Sequence, residues 1–66
     1  MELRELRYFL AVAQEKSITK AAEYLYIAQP SLSKLMQNLE KEIGRPLFIR
    51  GSHAITLTET GQLLKK

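Results

Sequence analysis

Apolar residues recur with two different periods along this chain, and the change of period divides it. Leu3, Leu6, Phe9, Leu10 and Ala13 follow three- and four-residue steps, with Arg4, Glu5, Arg7 and Gln14 between them. That spacing predicts an amphipathic first helix. Lys16-Ser17 breaks the stripe, and Thr19 stands where the N-cap of a short second helix belongs. This helix turns Ala21, Ala22 and Leu25 inward. Its paired alanines let two helix backbones approach closely, although alanine's helix propensity would also place them here. Tyr26-Ile27-Ala28 spans a tight corner, with Ile27 directed into the core. Pro30 suits the first turn of a new helix, where a missing N–H has no intrahelical partner to lose. Leu32, Leu35, Met36, Leu39 and Ile43 then hold helical spacing, and Gly44 supplies a left-handed cap, so a third helix is expected over 29–43.

Beyond Gly44 the period falls to two. Pro46-Leu47-Phe48-Ile49-Arg50 is short, apolar and bounded by proline and glycine, Gly51-Ser52-His53 is a turn, and Ala54-Ile55-Thr56-Leu57 alternates. Two short strands form a β-hairpin beside the helices. Thr58 then caps a fourth helix that includes Leu63 and Leu64. The expected fold is mainly α with a small β-hairpin: a three-helix core, a two-stranded wing and the start of a further helix. Tyr8, Tyr24 and Tyr26 fall in or beside helices and are expected to pack rather than to form a stacking platform.

Size and composition narrow the chemistry. The 66 residues support one domain, and a chain of this length buries only about 60% of its unfolded surface. Cysteine is absent and His53 is the lone histidine, so neither a disulfide nor a structural metal is expected, and no cofactor is implied. No apolar run approaches the roughly 18 residues of a membrane span, and the alternating N-terminus does not read as a signal peptide; the expected location is the cytoplasm. The net charge of +3 arises wholly in residues 45–66, where Arg45, Arg50, Lys65 and Lys66 face Glu59 alone. A pI near 9.5 favours a polyanionic partner, although many small basic domains never touch nucleic acid.

The third helix carries the sharper signal. If its apolar stripe packs on the first two helices, Gln29, Ser33, Lys34, Gln37 and Asn38 point outward. Each alone is an ordinary solvated residue, but no acid occurs between positions 29 and 39, which suits a negatively charged partner. Glutamine in the first turn can pair with adenine through N6 and N7, a serine such as Ser31 or Ser33 can reach a base or a phosphate, and Pro30 offers an apolar surface to a thymine methyl. Lys34 suits a phosphate or a guanine. Thr19 and Lys20, at the start of the second helix, are placed for backbone phosphate, where Thr19 can also be a cap and nothing more. Arg50 at the wing base is a phosphate candidate, and His53 at the wing tip is either a minor-groove contact or a plain turn residue.

The runs Ser17-Ile18-Thr19-Lys20-Ala21-Ala22, Ala28-Gln29-Pro30-Ser31-Leu32-Ser33, Leu39-Glu40, Gly44-Arg45-Pro46-Leu47-Phe48 and Leu57-Thr58-Glu59-Thr60-Gly61 resemble, without a gap, the N-terminal domain of LysR-type transcriptional regulators. The resemblance implies a winged helix-turn-helix over residues 1–58 that binds double-stranded DNA in bacteria, followed over 59–66 by the truncated start of a linker helix that dimerises. It implies a homodimer or tetramer on an interrupted dyad, expected to be A·T-rich, with effector sensing left to a C-terminal domain outside this chain. By the same resemblance, Gln29, Pro30, Ser33 and Lys34 meet bases or phosphates in the major groove, while Thr19 and Arg50 meet phosphate. Two positions depart from the family pattern. His53-Ala54 replaces the arginine or lysine common at the wing tip, and Lys34 replaces a frequent arginine, losing its bidentate fork.

A different class of function, a winged-helix module for protein interaction or dimerisation, would show apolar anchors on the third helix rather than amides, a hydroxyl and a lysine. Enzymatic function is not expected, since one histidine and no paired carboxylates leave nothing to run acid–base chemistry.

Overall fold

The computed structural model describes residues 2–51 and 54–65. Its elements are α1 (Leu3–Glu15), α2 (Ile18–Leu25), α3 (Gln29–Ile43), β1 (Phe48–Arg50), β2 (Ile55–Leu57) and α4 (Glu59–Lys65). The two strands pair antiparallel, with Phe48 opposite Leu57, Ile49 opposite Thr56 and Arg50 opposite Ile55. This is a three-helix core with a two-stranded wing and a fourth helix.

The first two corners are closed by non-glycine residues in the left-handed region. Lys16 (φ 57°) ends α1 and donates its N–H to the Val12 carbonyl at 2.8 Å. Tyr26 (φ 59°) ends α2, and the N–H of Ile27 then reaches back to the Ala22 carbonyl at 3.0 Å. That closure turns Ile27 in against the core while Tyr26 faces out. Gly44 (φ 84°) ends α3 as expected; a Cβ there would meet nothing within 4 Å, so the need for glycine is conformational.

Three expectations change. Ser17, not Thr19, caps α2: its hydroxyl accepts the Lys20 N–H at 3.2 Å, and the helix starts at Ile18, directly after it. The buried line of α1 runs through Phe9, Val12 and Ala13, whereas Leu3 (76% exposed) and Leu10 (38%) lie outside it. Alpha-helices α2 and α3 and strand β2 cover only one side of α1, and Leu3 and Leu10 fall beyond that cover, lining a groove with Tyr24. Tyr8 does pack against the core, but Tyr24 and Tyr26 (95%) stand in solvent.

Phe9, Val12, Ala21, Leu32, Met36, Leu39 and Leu47 make the centre of the core. The Phe9 and Phe48 rings, 5.5 Å apart and tilted by 40°, join the wing to α1. Full burial of one such large side chain contributes about 1.5–3 kcal/mol. No helix among the described residues is long and apolar enough to cross a membrane.

Candidate nucleic-acid interface

Leu32, Met36 and Leu39 recur along one line of α3 and are fully or almost fully buried. At about 100° per residue, Pro30, Lys34, Gln37 and Lys41 fall on the opposite side, where all four are exposed. Gln29 and Ser33 occupy one flank, Gln29 exposed and Ser33 half-buried; Ser31 and Asn38, both exposed, occupy the other. The expected outward face is thus present but divided, and Ser33 is less open than its spacing predicted. Lys41, two turns beyond Lys34, belongs to the same face and was not singled out from the sequence. Its i+7 relation to Lys34 is the signal that would have found it.

The N-terminus of α3 is open as well. Ala28 provides no side-chain cap, and the first turn holds no acid. Gln29 and Ser31 therefore present backbone amides that the helix itself cannot satisfy, next to a dipole end that favours anions. At α2, Ser17 takes the Lys20 amide, which leaves Thr19 in the first turn with an exposed side chain beside exposed Lys20. Arg50 is exposed at the end of β1. His53 lies outside the described residues.

The relation between α3 and the wing is set by a residue whose chemistry the sequence reading left unused. The Glu40 Oε2 accepts the Leu47 N–H at 2.7 Å and the Phe48 N–H at 3.3 Å. Glu40 lies on the Ser33 flank of α3, so its carboxylate ties the end of that helix to the first strand of the wing. The base of the wing is tied again at Thr58, whose hydroxyl donates to the Pro46 carbonyl at 2.7 Å and accepts the Gly61 N–H at 3.1 Å. Gly61 is buried against the Leu47 carbonyl, where a Cβ would clash and would also lie 3.2 Å from a methyl of Leu57. A carboxylate four residues before a capping glycine, and a glycine inside a helix, are the traces these contacts leave in the sequence.

The profile of the bacterial regulatory helix-turn-helix proteins of the lysR family matches residues 3–62. The chain belongs to the LysR family. Among its relatives, the HTH-type transcriptional regulator BenM of Acinetobacter baylyi is 57% identical over 61 residues, covering 92% of this chain and 20% of the relative. The probable cat1 operon transcriptional activator of Acinetobacter lwoffii is 54% identical over 63 residues, covering 96% of this chain and 21% of that protein. The chain thus spans about a fifth of these LysR-family relatives. In structure it is similar to the BenM DBD in complex with catB site 1 DNA, with a TM-score of 0.94 and 54% identity over 98% of this chain and 72% of that one. It is also similar to the CbnR DBD–DNA complex, with a TM-score of 0.93 and 38% identity over 98% and 75% of the respective chains. The winged helix expected from the sequence is the fold of these LysR-family domains.

Proposed function

We propose that this chain is the DNA-reading domain of a bacterial transcriptional regulator that works in the cytoplasm and has no catalytic activity. The observation that carries the reading is the N-terminus of α3: uncapped, free of acid, and flanked by exposed Gln29, Pro30 and Lys34. Such an end suits entry into a major groove, with side chains of the first turns at base edges and backbone amides near phosphate. Gln29, Pro30, Ser33 and Lys34 are assigned to bases. Thr19, Lys20, Ser31, Gln37, Asn38 and Arg50 are assigned to the backbone, with His53 at the wing. The partner is double-stranded DNA with an interrupted, A·T-rich dyad. Residues 1–58 form the reading unit, and α4 (Glu59–Lys65) opens the linker segment 59–66 through which the longer protein forms a homodimer or tetramer. Effector binding belongs to a domain outside this chain.

The protein-interaction reading is disfavoured by one feature of α3. Among the described residues, the large exposed apolar side chains lie on α1, α2, the corner after α2, β1 and α4, and none lies on α3. The test is an NMR titration of the labelled domain with a short A·T-rich duplex carrying an interrupted inverted repeat, repeated at higher salt. Amide shifts at residues 19–20, 29, 31–38 and 50 that salt reverses are expected. Shifts confined to α4, or none on α3, would refute the reading.

A further inference from the structure

Lys16 ends α1 with its backbone, and its surroundings point to a further role. It lines a cleft of about 250 Å³ together with Ser17, Ile18, Arg50, Gly51, Ala54 and Ile55. One wall is the corner between α1 and α2, and the other is the outer end of the wing strands. Among the described residues that line it, Lys16 and Arg50 are cationic and none is acidic. Neither cation is held in an ion pair among the described residues. The walls are joined by a hydrogen bond at 3.0 Å from the Ile55 N–H to the carbonyl of Lys16 itself. Lys16 and Arg50 therefore border one cleft from separate elements that this bond holds together.

We propose that Lys16 and Arg50 jointly hold a single phosphate of the DNA backbone in this cleft, an inference that rests on the DNA-reading function above. Three features converge on it. The first-turn amides of α2, at Ile18 and Thr19, lack intrahelical acceptors and add partial positive charge at the cleft edge. Arginine and lysine supply a planar fork and a mobile point charge, a complementary pair of donors for a tetrahedral anion. The backbone of Lys16 is left-handed at φ 57°, a conformation that costs a non-glycine residue about 1–2 kcal/mol. Chain geometry alone would favour glycine or asparagine there, so the long cation has a use beyond closing the helix. A phosphate bound across the cleft would lock the helix-turn-helix and the wing onto the same strand, which neither contact alone would do.

The left-handed backbone also makes the test clean, because glycine and asparagine accept it readily. Lys16→Gly, Lys16→Asn, Arg50→Gln and the Lys16→Asn/Arg50→Gln double variant would be compared by fluorescence anisotropy. The probes are the interrupted-repeat duplex and a random duplex of equal length, across a salt series. Neither Lys16 variant should melt below the parent, and both should lose affinity by the same factor on both duplexes. The double variant should reduce the slope of log K against log salt by about 1 in all, since one phosphate is released. A double variant that reduces the slope by about 2 would place the two cations on separate phosphates and overturn the proposal. Unchanged affinity in the Lys16 variants would overturn it too. Failure of the parent domain to bind either duplex would instead refute the DNA-reading function itself.

Discussion

Removing the Glu40 carboxylate should detach the wing from α3 without disturbing either element internally. Glu40 is half-buried, and its Oε2 is shared by two backbone N–H groups, at 2.7 Å from Leu47 and 3.3 Å from Phe48. A hydrogen bond to a charged group contributes about 1.5–3 kcal/mol. The 3.3 Å bond is long, and partial exposure lets water replace some of the loss, so about 2–3 kcal/mol is expected for Glu40→Ala. Glu40→Gln keeps an acceptor without the charge and should lose about 1 kcal/mol. For a domain of this size each kcal/mol corresponds to roughly 4–8 °C in melting temperature. The alanine variant should therefore melt about 10–20 °C below the parent and the glutamine variant about 5 °C below it. Circular dichroism would give the melting temperatures, and amide hydrogen exchange would locate the change at Leu47 and Phe48. DNA affinity should fall equally on specific and random duplexes, since the α3 residues assigned above to bases stay in place. If Glu40→Ala melts within two or three degrees of the parent, or if the Leu47 and Phe48 amides exchange no faster, the carboxylate does not hold the wing.

Other perturbations separate further parts of the argument. Gln29→Ala should reduce the preference for specific over random DNA by about 1–3 kcal/mol, whereas Arg50→Ala should weaken both alike and flatten the salt dependence; equal losses from both on both duplexes would remove Gln29 from base reading. Ala28→Asp should stabilise α3 by about 1 kcal/mol as an N-cap while sharply weakening DNA binding by setting a carboxylate at the groove. Retained binding in that variant would show that this helix end does not approach DNA. Gly61→Ala, whose Cβ falls on the Leu47 carbonyl, should cost about 1–3 kcal/mol by overpacking and alter chemical shifts in the wing. Gly44→Ala, with open space around it, should cost about 1–2 kcal/mol with shifts confined to the end of α3. Identical footprints for these two variants would contradict the difference drawn between a steric and a conformational glycine.

The sequence by itself determined the elements whose causes are local. The bounds of α3 followed from an unbroken apolar line ended by a glycine, and Gly44 has the left-handed backbone expected of it. The hairpin and the cap at Thr58 were legible for the same reason, because turn residues and hydroxyl caps act within a few positions of themselves. The outward side of α3 was readable in outline, since burial of Leu32, Met36 and Leu39 forces Lys34 and Gln37 to the other side. What only the tertiary structure decided is which partner each surface meets. Leu10 and Val12 are equally apolar in the sequence, and one lies outside the covered side of α1 while the other is fully buried. Ser17 and Thr19 are both good caps, and the start of α2 at Ile18 chooses between them. Glu40 reads as an ordinary surface acid until the chain returns at Leu47 and Phe48 to use it. Lys16 and Arg50 are far apart along the chain and border one cleft only because β2 hydrogen-bonds to the corner after α1. Helical period and capping depend on near neighbours, whereas a shared carboxylate or a two-sided cleft requires separate elements to meet, and spacing along one strand of sequence does not encode that directly.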